Sequence, residues 1–136
     1  MLKKALSSSF VLVPAALFGL VVAATGCGEV TKIQECSAVI EAVNKGQDAF
    51  KIEFDEKKME AQAKKVEDFE KAIGEVKITD AELKKSVDEY RAMVTDMAKV
   101  LRDVAKGDAT IEKRVDDIVK KESELVNKIN NYCNRK

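Results

Sequence analysis

No histidine and no tryptophan occur among the 136 residues, proline occurs once, and aromatic residues make up only 5% of the chain. Without histidine, the Ser-His-Asp and Cys-His nucleophile systems and the Glu-x-x-His di-metal helices are excluded. Beyond Cys27 the glycines, Gly28, Gly46, Gly74 and Gly107, lie far apart, so there is no Gly-rich loop to cradle a phosphate. Nor is there an excess of one charge: 24 Lys and Arg stand against 24 Asp and Glu, which removes the premise for a nucleic-acid partner. Neither an enzymatic activity nor a cofactor is expected. Scarce breakers and aromatics beside abundant aliphatic and charged residues point to an all-α chain rather than a sheet sandwich.

The apolar residues are unevenly spread. Lys3 and Lys4 precede an uninterrupted apolar run from Phe10 to Ala24, and Ala24-Thr25-Gly26 places small residues ahead of Cys27. That layout is an export signal, removed from the mature protein. A membrane-spanning helix is the competing reading, but it takes about 20 apolar residues, and this run is shorter and contains Pro14. The same small residues suit ordinary signal-peptidase cleavage, so the cut site alone leaves the fate of the thiol open.

Ala24-Thr25-Gly26-Cys27 resembles the lipobox of bacterial lipoproteins. The resemblance implies diacylglyceryl attachment to Cys27, cleavage before it and N-acylation with a palmitate-type chain. Residues 1–26 would then be the signal and 27–136 a lipid-anchored domain. One acyl chain holds a protein to a membrane only marginally, whereas two or more hold it stably. Gly28 stands where an Asp would imply inner-membrane retention, so the periplasmic face of the outer membrane is the expected location. Three cysteines in an exported chain leave one odd thiol. Lipidating Cys27 removes it and leaves Cys36 and Cys133 as a disulfide pair in an oxidising compartment.

Losing Lys3 and Lys4 with the signal leaves a net charge of about −2. In the mature part, Leu83, Val87, Tyr90, Val94, Met97, Leu101 and Val104 alternate at four and three residues, the seam of a helix packed in coiled-coil style. Thr79-Asp80-Ala81-Glu82 fits a capping box, with Thr79 as the cap and Glu82 reaching back. Lys106-Gly107-Asp108 supplies stop and start signals. A second stripe of Ile111, Val115, Ile118, Leu125, Ile129 and Tyr132 continues in phase, with Asp108 and Glu122 in core slots. One helix through Gly107 therefore competes with two helices joined by a turn, and the coincident signals favour the turn. Glu122 reads as a helix-edge residue whose stem covers apolar surface while its carboxylate reaches water.

The first mature segment is less regular. Ile33, Cys36, Ile40, Val43, Phe50 and Phe54 form one stripe, and Met59, Val66, Phe69 and Ile73 another, with a phase slip between Phe54 and Met59. The slip is either a stutter in one long helix or a turn near Asp55, a candidate N-cap. An unbroken helix from Cys36 to Ile73 would span roughly 55 Å and carry Cys36 away from Cys133 in a three-helix bundle. A disulfide needs Cα atoms within about 7 Å, which a fold-back at Asp55 permits. The expected fold is thus an antiparallel bundle of four helices, about 29–53, 56–73, 80–106 and 109–132, closed by Cys36–Cys133. Three helices with a long first helix are the alternative.

Cys36-Ser37-Ala38-Val39-Ile40-Glu41-Ala42-Val43-Asn44 and Leu125-Val126-Asn127-Lys128-Ile129-Asn130-Asn131-Tyr132-Cys133 are similar to the terminal helices of small helical lipoproteins of Gram-negative bacteria. That resemblance implies no activity. Glu53, Asp55 and Glu56, like Asp116 and Asp117, offer oxygen ligands, but no calcium-loop spacing is present, and solvated helix faces are the expected role; no metal site is assigned. Lys57-Lys58 and Lys64-Lys65 alternate with acids at helical spacing, the pattern of solvent-facing ion pairs. Met59, Met93 and Met97 read as core filling. Two function classes follow. One is a lipid-tethered structural or interaction protein that meets an envelope protein or a copy of itself. The other is a carrier or sensor of a small apolar ligand, with a cavity lined by Phe50, Phe54, Phe69, Met97 and Tyr90.

Overall fold

The computed structural model describes residues 27–51, 55–104, 106 and 110–135. The signal segment with Pro14, the lipobox residues before Cys27, Glu53, Phe54, Gly107 and Asp108 lie outside the described residues. The chain forms four helices: α1 over Cys27–Gly46, α2 over Met59–Gly74, α3 over Ala81–Val104 and α4 over Ile111–Cys133. Short 3₁₀ turns over Gln47–Phe50 and Glu56–Lys58 flank the first reversal. The all-α, four-helix, disulfide-closed architecture is the one the sequence pattern predicts, and the long unbroken first helix is not formed.

The predicted seam occupies the middle of the molecule. Leu83, Val87, Tyr90, Val94, Met97 and Leu101 are all buried, and so are Met93, Ala98 and Val100 on the neighbouring flank. α3 is therefore buried on two sides, with α2 along one and α4 along the other. From α2, Met59, Ala63, Val66, Phe69 and Ile73 face it; from α4, Ile118, Leu125, Ile129 and Tyr132 do. Close-packed apolar side chains of this kind contribute roughly 1.5–3 kcal/mol each through removal from water. Burial also raises the Tyr90 phenol above its ordinary pKa, helped by the Glu122 charge nearby.

Ion pairs along the rims fix the register. On the α2 side, Arg91 meets Glu70 at 2.6 Å, and Arg102 pairs with both Glu60 and Glu67. On the α4 side, Arg114 reaches Asp103 at 2.9 Å and Lys128 reaches Glu89 at 2.6 Å. Both sets run antiparallel. Lys106 donates its N–H to the Asp103 carbonyl at 3.0 Å as α3 ends, and α4 restarts at Ile111, so the in-phase stripe is split between two helices.

The first reversal begins earlier than the predicted end at residue 53. α1 stops at Gly46, where an added Cβ would fall 1.8 Å from the Phe69 ring. Phe50 then turns inward and packs edge-to-face on Phe69, with centroids 5.4 Å apart, and Phe69 packs the same way on Tyr90 at 6.3 Å. A straight helix could not bring Phe50 into that stack. Asp55 does cap the next segment, accepting the Lys57 N–H at 3.1 Å from an extended backbone.

One capping expectation is corrected. Asp80, not Thr79, is the N-cap of α3: its carboxylate accepts the Leu83 N–H at 2.8 Å, and its carbonyl accepts the Lys84 N–H at 2.9 Å. Thr79 is engaged elsewhere, and Glu82 pairs with Arg135 at 3.0 Å.

Candidate functional site

Two places on this fold carry more than packing: the end closed by the disulfide, and a groove between α1 and α2. The first is built where the lower part of α1, the α2–α3 connection and the end of α4 meet. Cys36 and Cys133 are bonded there with Cα atoms 5.7 Å apart, as the cysteine count predicts. Beside Cys36, the buried Glu35 carboxylate accepts three hydrogen bonds: the Thr79 N–H at 2.8 Å, the Thr79 hydroxyl at 2.5 Å and the Asp80 N–H at 3.1 Å. These are donors that the start of α3 leaves without intrahelical partners, and a carboxylate there is also favoured by the helix dipole. The Thr79 hydroxyl, more than any other contact, holds the Glu35 carboxyl below the usual carboxylate range.

Around that clamp lies a second layer of contacts. The Leu83 N–H and then the Tyr132 hydroxyl lower the Asp80 carboxyl. Burial, with the bond to Asp80 next, pushes the Tyr132 phenol up to about 12. Lys32 donates to the Arg135 carbonyl at 3.1 Å while its ammonium sits 4.5 Å from the Tyr132 ring centroid. The phenol is thus held protonated at neutral pH, as a donor to the Asp80 carboxylate. Chemically the arrangement is a latch, with one covalent bond and one buried carboxylate tying α1 to the ends of α3 and α4.

Cys27 is the first residue of α1 and joins the latch through an unbroken helix. Gly28, Glu29, Val30 and Thr31 are exposed, and Val30, at 44%, is the one exposed large apolar side chain among the described residues.

The groove has a volume of about 650 Å³. Ala38, Ala42 and Ala49 line it with Phe69 and Ala72, small side chains that leave the space between the two helices unfilled. Its rim carries Glu41, paired with Lys45 at 2.6 Å, and Asp48, paired with Lys51 at 2.5 Å. Of the residues expected to line a carrier cavity, only Phe69 reaches this groove. Phe50, Tyr90 and Met97 are buried in the core, and Phe54 lies outside the described residues.

The acidic runs do not converge. Asp55 serves as a cap, Asp116 and Asp117 are exposed, and among the described residues no group of three potential ligands could hold a metal ion. Glu122 is half-buried in its core slot, where loss of water raises its carboxyl above the ordinary value. Among the described residues, no helix is long and apolar enough to cross a membrane. Sequence reasoning missed Glu35; the available signal was a carboxylate next to Cys36 on the inward stripe of α1, just as Tyr132 adjoins Cys133. The chain matches no protein-family model, no curated protein and no solved structure.

Proposed function

We propose that the chain is a lipid-anchored helical protein of the bacterial envelope, exported and held at the outer membrane through acylated Cys27, with a structural or protein-interaction role and no catalysis. The observation that carries this reading is the pairing of Cys36 with Cys133. It leaves Cys27 as the unpaired thiol, placed directly after three small residues and an apolar run. A disulfide of this kind belongs to an oxidising compartment. A charged, ridged surface of paired acids and bases is suited to meeting an envelope protein or a second copy.

Metabolic labelling with palmitate tests the anchor. Wild-type protein is expected to carry label and sediment with membranes, and Cys27→Ser to carry none and to be released. Equal labelling of both, or of neither, contradicts the reading. Crosslinking in the intact envelope would then identify the partner.

The groove favours one second reading, a carrier or sensor of a small apolar ligand, since alanines and Phe69 line it and its volume is in the range of ligand sites. A fluorescent fatty acid would bind at one site and be displaced by Ala42→Trp; no saturable binding removes this reading.

A further inference from the structure

We propose that the bundle is mounted rigidly on the lipid surface with its disulfide end down, the first turn of α1 seated in the headgroup layer through Val30. The proposal rests on the reading of Cys27 as acylated and goes beyond it, because an acyl anchor alone says nothing about orientation.

No linker separates Cys27 from the bundle. α1 is helical from Cys27 itself, so about 13 Å of helix, at 1.5 Å per residue, separates the acyl-bearing residue from Cys36. At Cys36 the helix is bonded to α4, and one residue earlier Glu35 is clamped to Thr79 and Asp80. Lys32, a turn earlier still, is tied to the Arg135 carbonyl. Whatever holds Cys27 therefore holds the whole bundle, with no flexible segment to swing on.

Levels along the axis give the direction. Glu35 sits beside Asp80, just before the first residue of α3, whereas Gly46 and Phe50 reach Phe69, which packs on Tyr90 further along α3. α1 thus climbs the bundle from the disulfide end. Residues 28–31, which precede the Lys32 tie, are exposed. On that first turn Val30 is three residues from Cys27, a spacing that places the two positions on one face of the helix. Its exposure has a ready explanation if lipid covers it.

Charge decides what kind of contact this is. Lys32, Lys77 and Arg135 stand at this end with Glu29, Glu75 and Glu82, three of each sign, and Arg135 is paired with Glu82. The patch is balanced, so the contact is apolar insertion beside the acyl chains rather than attraction to anionic headgroups, and added salt should not release it. Lys51 stands well up the bundle, because its neighbour Phe50 packs through Phe69 onto Tyr90, about 14 Å along α3 from its first residue, and the α1–α2 groove faces sideways into the aqueous space.

The lack of tryptophan in the chain makes a clean test. Full-length Val30→Trp and Lys51→Trp proteins, matured in cells, are reconstituted into phosphatidylethanolamine and phosphatidylglycerol vesicles containing dibrominated lipid. Val30→Trp is expected to shift its emission to the blue and lose most of its intensity to the bromines, in low and high salt alike, while Lys51→Trp does neither. Gly28→Trp, whose side chain would meet open space, replaces Val30→Trp if circular dichroism shows misfolding. Any other quenching pattern overturns the proposal: neither residue quenched means a bundle held off the surface, both quenched a bundle lying flat. The mass of the Cys27 peptide from the same samples separates the two failures. Acyl mass with unquenched Val30→Trp removes the mount and leaves the anchor standing, whereas a bare peptide contradicts the anchor itself and the mount with it.

Discussion

α3 and α1 are helices of similar length held in the bundle by different physics. α3 is enclosed on two flanks by the apolar faces of α2 and α4, and nearly every second or third side chain along it is buried. α1 buries only Cys36 and Val39 of its apolar residues, leaves Ile33, Ile40 and Val43 half-covered, and depends at one end on a covalent bond and a clamped carboxylate. A helix stabilised along its whole length tolerates the loss of a point contact near its end. A helix latched at one end does not.

The largest effect that would sharpen this contrast comes from the disulfide. The bond closes a loop of 97 residues, worth on the order of 4–5 kcal/mol on the chain-entropy argument. Cys36→Ser with Cys133→Ser is expected to lower unfolding stability in urea by about that amount, and to speed hydrogen exchange in α1 far more than in α3. Uniform acceleration across both helices would break the comparison. Next comes packing: Leu101→Ala, at a fully buried α3 position, should cost about 3 kcal/mol, against less than about 1 kcal/mol for Ile40→Ala on α1. Similar costs at the two sites would show that α1 is held by packing after all. Gly46→Ala falls between these two, at about 1–3 kcal/mol, because its Cβ would strike the Phe69 ring and push α1 off α2 there.

The smallest expected effects concern pH. The Glu35 carboxyl is lowered from 4.5 by its bonds to Thr79 and Asp80, so its contribution is fully present above about that pH and is lost as pH falls through the folded value. The melting temperature of Glu35→Gln should lie below wild type at neutral pH and converge with it in acid. Glu122 has the opposite sign. Desolvation raises its carboxyl, so its contribution is lost as pH rises through the folded value, and Glu122→Gln should melt slightly higher than wild type at neutral pH.

How much of this was legible beforehand follows the same division. The α3 seam could be read because burial along its length imposes a period on the sequence, and the reversal near Asp55 could be read because the period slips there. The early stop of α1 was not legible: it depends on Phe69 filling the space over Gly46, a contact between residues far apart in the chain. Thr79 looked like a cap because Thr-x-x-Glu is a local pattern, and only tertiary structure shows that Glu35 claims its hydroxyl. Likewise the cysteine count could anticipate Cys36–Cys133, while the buried carboxylate beside it left no periodic trace.

The central claim is that two cysteines are spent on closing the bundle and the third on carrying lipid. Intact mass spectrometry of membrane-extracted protein, alkylated before and after reduction, reads both at once. The account expects acyl mass confined to the Cys27 peptide, no alkylation before reduction, and alkylation of Cys36 and Cys133 after it. Three alkylated thiols in the unreduced, uncleaved chain would contradict it.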